Sequence, residues 1–476
     1  MAVRVRKSVW SLSPGDPGLD WFRKAVEALI QRPASNPSSW RYLAAVHGVP
    51  GGMTVPPGAG QFWDQCQHQS WFFLSWHRGY VASFEAVVAQ TIVELGGPEE
   101  WALPYWDYSD TSNPNARLMH PDFFNRRRPD GSPNALWSRR AQAQNGNFNL
   151  SPSAVSRDAL LFQNFTNSSP GAPSGFGGPA TGFNPGGGDN GAVENVPHNR
   201  IHVLIGGANG FMSDPATAAL DPIFWLHHCN IDRLWEAWRN QGPQFRNPTS
   251  AQWLSAVSFN MHDGNGNPFT FVSRDMLDTT RVLHGYRYDM VPVAREPGAP
   301  SPLEGVTVAE GRNPELVGAN EGPVPLEGNV TRTTVTLQPQ AIERRSLEST
   351  TSPRVYLNLE NITGTGIPGD FNVFIDMPGD REPPAFAGVM TTFGLERATD
   401  PGGRHGGSGL NQVFEITEVA RKLGLTQGTV SRLQVTFVRE GLPPAEEAVP
   451  AGLEDFVKKT PPEPNIKVGR VSLYYE

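Results

Sequence analysis

Two stretches of this sequence decide how its first half folds: CQHQSWFFLSWHRGYVASFE at residues 66–85 and DPIFWLHHCNIDRLWEAW at residues 221–238. Each combines many large apolar side chains with two histidines, and neither shows the strict alternation that is typical of a strand. The segments around them, Trp71–Leu95 and Pro222–Asn240, are therefore predicted to be helices. A third helix is predicted over Asp20–Ile30, where apolar side chains recur at helical spacing. The first part of the chain should be mainly α-helical.

The texture of the sequence changes after Met290. Residues 291–352 are rich in Pro and Gly without a clear period, which is typical of a linker. From residue 353 onward, short β-rich runs alternate with turn residues. The sequence thus predicts a multidomain α+β protein, with a helical domain at 1–290, a linker at 291–352 and a β-sandwich-like domain at 353–476.

Composition narrows the class of protein. The chain has 39 basic and 47 acidic residues, a net charge of −8, and no basic segment, so no nucleic-acid partner is expected. No apolar run approaches the ~18 residues of a membrane span. The first twenty residues lack the apolar core of a secretory signal, and only Cys66 and Cys229 are cysteines. A cytoplasmic enzyme without a membrane partner is the expectation.

The histidines are distributed unevenly. His68 and His77 flank an aromatic run, while His198 and His202 form an HxxxH motif. Neutral imidazole is the commonest metal ligand and suits copper, zinc, iron and nickel. Two histidines at i and i+4 lie on the same helix face, so His198 and His202 could hold one ion together.

The third histidine segment lies in the helix predicted at 222–240. There His228 shares a face with Phe224 at i−4 and Asp232 at i+4, and an aromatic ring and a carboxylate are typical supports of a ligating imidazole. Each motif alone also fits a structural histidine pair or an incidental histidine on an aromatic helix. Their joint occurrence, with almost no cysteine, favours a metal centre. Neither HExxH nor zinc-finger spacing is present.

Segments 66–85, 196–207 (VPHNRIHVLIGG) and 221–238 together resemble the two copper-binding signatures of the tyrosinase family. This family includes tyrosinases, catechol oxidases and o-aminophenol oxidases, with hemocyanins as more distant relatives. The resemblance spans most of residues 20–290, and it implies a four-helix-bundle core and two copper ions with three histidine ligands each. The implied ligands are His47, His68 and His77 for the first copper, and His198, His202 and His228 for the second. His227 is then a neighbour with a supporting role.

The resemblance also implies roles for residues beside the ligands. Cys66 corresponds to a cysteine that forms a thioether with a histidine ring, here His68, in fungal members; the alternative is a free buried thiol. Glu194 and Asn199 match a pair associated with a water that deprotonates monophenols; the alternatives are loop capping and turn formation.

Two later segments resemble other parts of the family. Tyr286-Arg287-Tyr288 resembles the motif that closes the helical domain in plant and fungal members. NVFIDMPG (372–379) and AFAGVMTTFG (385–394) resemble, more loosely, the β domain of plant-type polyphenol oxidases. This resemblance implies that the C-terminal domain lies over the copper site as an intramolecular inhibitor. The remaining histidines are interpreted as ordinary loop residues: His120, His262, His284 and His405.

The function implied is the use of O₂ to convert monophenols and o-diphenols to o-quinones. One alternative is an o-diphenol or o-aminophenol oxidase that does not hydroxylate monophenols. In other classes, the alternatives are a hemocyanin-like O₂ carrier and a mononuclear or structural zinc protein.

Overall fold

The computed structural model describes residues 3–141, 149–185, 187–291, 313–348, 354–367, 369–377, 383–457 and 463–476. Residues 292–312 and 349–352 of the predicted linker therefore lie outside the described residues. No helix among the described residues is long and apolar enough to cross a membrane.

The first half of the chain is mainly helical, as its sequence predicts. Its helices are α1 (Pro17–Gln31), α2 (Trp40–His47), α3 (Phe73–Glu94), α4 (Pro121–Phe124), α5 (Arg200–Gly206), α6 (Pro222–Arg239) and α7 (Ala251–Leu254). Its short strands are β1 (Arg4–Arg6), β2 (Ser258–His262), β3 (Pro268–Val272) and β4 (Tyr286–Tyr288). The three helices predicted from sequence correspond to α1, α3 and α6, with ends that differ by up to three residues.

Aromatic packing holds α3 against α6 in the core of this half. The rings of Phe84 on α3 and Trp225 on α6 are stacked, with centroids 3.5 Å apart. Helix α6 begins where Asp221 accepts a hydrogen bond from the backbone N–H of Ile223 and Pro222 occupies the first turn. Both helices are buried over most of their surface, so their histidines are in the interior of the protein.

The second half forms one antiparallel sheet of nine strands. They are β5 (Glu315–Ala319), β6 (Val324–Pro325), β7 (Val330–Leu337), β8 (Val355–Thr365), β9 (Phe371–Asp376), β10 (Ala385–Met390), β11 (Leu410–Glu415), β12 (Arg432–Arg439) and β13 (Asn465–Tyr475). The order is β10-β9-β12-β7-β5-β13-β8-β11, with β6 paired to β13. Its helices are α8 (Pro339–Glu348), α9 (Leu395–Thr399) and α10 (Thr417–Lys422).

This sheet differs from the predicted sandwich. The two end strands, β10 and β11, approach each other. The Gln412 side chain on β11 accepts a hydrogen bond from the Thr391 N–H, just after β10, at 3.0 Å and donates one to the Thr391 carbonyl at 2.7 Å. The sheet is therefore a single, nearly closed barrel-like layer. Residues 315–337, which the sequence places in the linker, form three of its strands. Pro and Gly residues lie beside these strands, and β7 has many polar side chains. The alternation of apolar and polar residues that predicts a strand is therefore not recognisable here.

A long connection from β12 to β13 runs along the helical half, and we call residues 441–457 the strap. The Ala208 N–H donates to the carbonyl of Pro443 at 3.1 Å, and the Ala445 N–H donates to the carbonyl of Ala208 at 3.0 Å. Leu453 of the strap is buried within the core of the helical half. The two halves are thus joined by packing far from the linker.

Candidate metal centre

Two groups of buried side chains could each hold a metal ion. In the first, His47 ends α2, Cys66 and His68 precede α3, and His77 lies on α3; one donor atom from each lies within 4.8 Å of the others. Three of the four are fully buried, and His68 is partly buried. The first group unites histidines that lie up to 30 residues apart in the sequence.

The second group comes from two further segments. His198 lies in a distorted helical turn (Glu194–Asn199), His202 on α5, and His227 and His228 on α6. One donor atom from each again lies within 4.8 Å of the others, and all four residues are buried. The imidazoles of His198 and His202 approach to 4.5 Å between centroids, as their i, i+4 spacing predicts.

The two groups face each other. The rings of His77 and His228 are stacked with centroids 4.4 Å apart, and those of His68 and His198 lie 5.4 Å apart. The two metal sites would therefore be adjacent.

Hydrogen bonds fix the orientation of four of these rings. In each, the Nδ1–H donates to an oxygen at 2.7–2.8 Å: His47 to Pro215 O, His77 to Phe73 O, His198 to Asn199 Oδ1 and His202 to Met212 O. This arrangement leaves the Nε2 lone pair as the donor, which is how ligating imidazoles are usually held. The Nε2 atoms of His47 and His198 are buried without a hydrogen-bond partner among the described residues. A donor set in which seven of the eight residues are histidines fits copper.

Burial also keeps these imidazoles neutral. It lowers the pKa of His47 and of His198 from 6.5 to about 3. Because only the neutral ring has a free lone pair, the interior preserves the form that binds a metal.

The structure places both His227 and His228 in the second group. Tyr108 Oη lies 3.2 Å from Nδ1 of His227, whose Nε2 has no partner in the described part of the chain. Nε2 of His228 lies 3.3 Å from Nε2 of His202. The Phe224 ring lies 4.2 Å from the His228 ring, on the side that the helical spacing predicts.

Asp232 has a different role from the predicted support of His228. It accepts hydrogen bonds from Tyr286 at 2.6 Å and Tyr288 at 2.5 Å, and pairs with Arg6 and Arg78. These donors come from β1, α3 and β4, so Asp232 ties the ends of the helical half to its centre. The i+4 spacing does place the Asp232 carboxylate one helical turn from His228. Its oxygens, however, are bound by two arginines and two tyrosine hydroxyls and not by the His228 ring.

Cys66 lies against the ring edge of His68. Its sulfur is 3.5 Å from Nδ1 and 3.7 Å from Nε2 of His68, and 3.5 Å from Nε2 of His77. Burial raises the pKa of this thiol, so the uncoordinated group is neutral. The position is compatible with a bond to the His68 ring and with a sulfur contact to a metal in the first group.

Glu194 and Asn199 lie beside the first histidine group but make different contacts. Glu194 is buried; one carboxylate oxygen accepts from the Gln69 N–H at 2.8 Å and the other is unpartnered among the described residues. Burial raises the pKa of Glu194 from 4.5 to about 8. Asn199 accepts from the His198 ring. Both residues line a pocket with Cys66 and His68.

The C-terminal half closes this pocket. The Phe393 ring stacks on the His202 ring, with centroids 4.1 Å apart and planes 17° apart, and lies 5.6 Å from the rings of His68 and His198. Arg397, Arg404 and His405 also line the pocket. Sequence reasoning missed all four residues and interpreted His405 as an ordinary loop histidine. The only signal was the loose resemblance of segment 385–394, which contains Phe393.

Comparison with known proteins agrees with this geometry. A family model described as the common central domain of tyrosinase matches residues 37–241, and a model described as a domain of unknown function matches residues 313–453. Tyrosinase HcTyr1 of Hahella sp. (strain CCB-MM4) is 35% identical over 452 residues, which cover 88% of this chain and 92% of that protein. The chloroplastic catechol oxidase B of Solanum tuberosum is 30% identical over 244 residues, 47% of this chain and 39% of that protein.

Solved structures share the fold of both halves. Latent apple tyrosinase matches with a TM-score of 0.64 and 20% identity, over 100% of this chain and 97% of that chain. The tyrosinase from Burkholderia thailandensis matches with a TM-score of 0.54 and 16% identity, over 95% and 97%. The relatives in sequence are phenol oxidases, which favours neither a hemocyanin-like carrier nor a zinc protein. The chain belongs to the tyrosinase family, and it is a copper-dependent oxidoreductase that acts on phenols with two copper ions.

Proposed function

We propose that this enzyme hydroxylates monophenols as well as oxidising o-diphenols to o-quinones, and that its C-terminal half covers the site in the intact chain. The observation that supports the first part is the position of Glu194 and Asn199 in the pocket beside the two histidine groups. The observation that supports the second is the stacking of Phe393 on His202.

We assign the first copper to His47, His68 and His77. The second copper is assigned to His198, His202 and His228. Bound by these six histidines, two coppers would supply the redox chemistry for O₂, while the protein supplies spacing, a dry pocket and substrate orientation. His228 is preferred to His227 because its Nε2 lies 3.3 Å from Nε2 of His202 and its ring stacks on His77 of the first group, with centroids 4.4 Å apart.

A monophenol must lose its proton as it docks. Phenols have a pKa near ~10, so about one molecule in a thousand is ionised at neutral pH. Glu194 lines the pocket and one of its oxygens is buried without a partner among the described residues, so its ionised carboxylate could accept a proton there. Asn199 accepts a hydrogen bond from the His198 ring and lines the same pocket as Glu194. A water between these two residues would accept the phenolic proton.

Replacement of Glu194 by Gln tests this role. We expect monophenol turnover to fall ~10- to 100-fold, the contribution of one general base, with a much smaller fall for the matching catechol, which is more acidic. Both rates are to be measured on the full chain carrying Phe393→Ala, loaded with copper. Asp189→Asn is the matched control, because Asp189 is a mostly buried carboxylate of the neighbouring cavity. Equal losses on both substrates would contradict the proposal.

An oxidase limited to o-diphenols or o-aminophenols is the second candidate. The 30% identity to catechol oxidase B of Solanum tuberosum favours it. The same measurements decide: no monophenol turnover in the Phe393→Ala chain, with full catechol turnover, would favour this candidate.

The cover is held by contacts that surround Phe393. On one side, Arg200 of α5 pairs with Asp370 at 2.5 Å and Glu440 at 2.8 Å, and Asp370 accepts from the Thr392 N–H at 3.0 Å. On the other side, Arg397 pairs with Asp64. These ion pairs bracket the ring and support a docked, inhibitory position of the C-terminal half.

A further inference from the structure

A second cavity lies between the two halves of the protein, and we call it the interface cleft. It has a volume of about 330 Å³, and its walls come from residues 153–196 of the helical half and residues 386–415 of the C-terminal half. Asp158 in its wall is exposed and Phe386 is 48% exposed, so the cleft opens to solvent there. Small solutes can therefore enter the interface cleft while the C-terminal half is in place.

One residue lines both the interface cleft and the pocket beside the first histidine group. Asn190 lies in the wall of the cleft and in the wall of the pocket that contains Cys66 and His68. Its Nδ2 atom is buried and has no hydrogen-bond partner among the described residues, so rotation of the side chain breaks no hydrogen bond of this nitrogen. At Asn190 a single residue separates the cleft from the pocket.

The pocket is the side from which a metal ion would meet the histidine groups. Of the eight residues in the two groups, Cys66 and His68 line it. Glu194 lines it too, with one carboxylate oxygen that has no partner in the described part of the chain. An ion that passes Asn190 would thus find a carboxylate oxygen and an imidazole as its first protein ligands.

The interface cleft has a negative lining. None of the described residues in its wall is Lys, Arg or His, and three of them carry a carboxyl group: Asp158, Asp189 and Glu415. Arg354, which does not line the cleft, offsets part of the charge of Glu415. Field lines concentrate in a cleft of one sign of charge, so this cleft should attract cations.

The covered side of the pocket has the opposite charge. There the C-terminal half contributes Arg397, Arg404 and His405. Burial and the two arginines lower the pKa of His405 to about 4, so the positive charge comes from the arginines. A cation that approached from this side would be repelled.

We propose that copper ions reach the histidine groups of the intact chain through the interface cleft, past Asn190. The cleft attracts the ion and the pocket offers its first ligands, whereas Phe393 and two arginines of the C-terminal half close the direct way. This inference rests on the proposed cover, because an uncovered site would be loaded directly. It adds a path for the metal, which the copper ligands by themselves do not determine.

The test follows copper uptake by the copper-free full chain after mixing with Cu(II). Quenching of tryptophan fluorescence gives the rate, since the ring of Trp76 lies 4.7 Å from that of His77. Metal analysis, after EDTA has removed loosely bound metal, gives the final copper content. Neither measurement needs turnover. Uptake should slow as salt is added, because screening weakens the attraction of the cleft.

Two substitutions of Asn190 should change the rate in opposite directions. Asn190→Asp, of the same size but negatively charged, should speed uptake ~3- to 10-fold, within the range of electrostatic steering. Asn190→Phe narrows the passage and should slow uptake by a similar factor. Both variants should still reach two coppers per chain. Asn184→Phe is the matched control: Asn184 is exposed and accepts a hydrogen bond from Arg404 on the covered side, so this variant should load at the normal rate.

Equal rates for the unaltered chain and its two Asn190 variants would overturn the inference. If uptake is then faster in Phe393→Ala, copper enters on the covered side and the cover itself stands. If uptake and phenol turnover are both unchanged in Phe393→Ala, the cover is wrong as well. Should Asn190→Phe fail to fold, as judged by circular dichroism, a rate that changes neither in Asn190→Asp nor with salt would overturn the inference.

Discussion

The two halves of this protein have cores of opposite character. All 13 tryptophans and ten of the eleven histidines lie before residue 290, and the C-terminal half has only His405. The helical core is packed from Trp, Phe and Tyr rings around the imidazoles, whereas the sheet core consists mainly of Val, Leu and Ile. Buried imidazoles need fixed hydrogen-bond partners, and a rigid aromatic core provides them. An aliphatic sheet core provides only a surface, and here that surface contributes Phe393 and Arg397.

Removal of a ligand should have the largest effect, and only in the helical half. We expect His228→Ala to lose one copper per chain and to leave below ~1% of oxidase activity, since even changes to supporting residues cost ~10- to 100-fold in metal affinity. His227→Ala should keep two coppers. Metal analysis and O₂ uptake on both variants check this, and retention of two coppers by His228→Ala alone would reverse the assignment.

The second-largest difference between the two halves should be how their stability depends on pH, because the helical half should lose more stability in acid. For His47 and His198 the pKa falls from 6.5 in the unfolded chain to about 3 in the copper-free fold, so the unfolded state binds more protons as pH falls. These two histidines leave the free energy of unfolding unchanged above pH 6.5, and they lower it progressively as the pH falls from 6.5 toward 3. At pH 5 each should lower the free energy of unfolding by about 2 kcal/mol.

Tryptophan fluorescence reports this loss selectively, because every tryptophan is in the helical half. Urea unfolding of the copper-free chain between pH 8 and pH 5 should show an early fluorescence transition, while far-UV circular dichroism of the sheet changes less. A single transition that shifts equally by both methods would mean that the two cores unfold as one unit.

Cleavage of the linker should change the protein less than removal of a copper ligand or a fall in pH. A cut between residues 291 and 313, before β5, leaves the strap and the ion pairs of Arg200 and Arg397 in place, so we expect the C-terminal half to stay bound. Turnover should rise strongly only when Leu453→Ala is added, because truncating a buried Leu costs about 2–5 kcal/mol.

Size-exclusion chromatography and turnover of the cut chains distinguish these cases. Leu442→Ala, at a less buried position of the same strap, is the control and should release little. Full activity after the linker cut alone would show that the strap contributes nothing to docking.

The smallest expected change is at Cys66. A thioether with His68 removes two hydrogens, so the intact mass of the active enzyme should fall by two hydrogens, and a peptide that links Cys66 to His68 should be recovered. The sulfur lies 3.5–3.7 Å from the two ring nitrogens of His68, in contact with the ring edge at which the bond would form. Titration of a free thiol at Cys66 in the active enzyme would contradict the thioether and show that the sulfur is not bonded to His68.

Much of the helical half was predictable, because its signals are local. The apolar periodicity of α1, α3 and α6 and the HxxxH spacing of His198 and His202 follow from the 3.6-residue helical repeat. The C-terminal strands were predicted as a class, but their arrangement was not. The polar face of β7 and the short β5 and β6 contain no period that separates them from a linker.

The sequence by itself determined which residues can bind a metal and which segments are helices, since both depend on residue type and short spacing. Only the tertiary structure decided which groups meet across long loops. It directed Asp232 to arginines and tyrosines, brought His227 into the second group, closed nine strands into one sheet, and placed Phe393 and Arg397 at the site. Such contacts join residues from 25 positions apart, as for His202 and His227, to 333 positions apart, as for Asp64 and Arg397, and nothing in the local period of either segment specifies its partner.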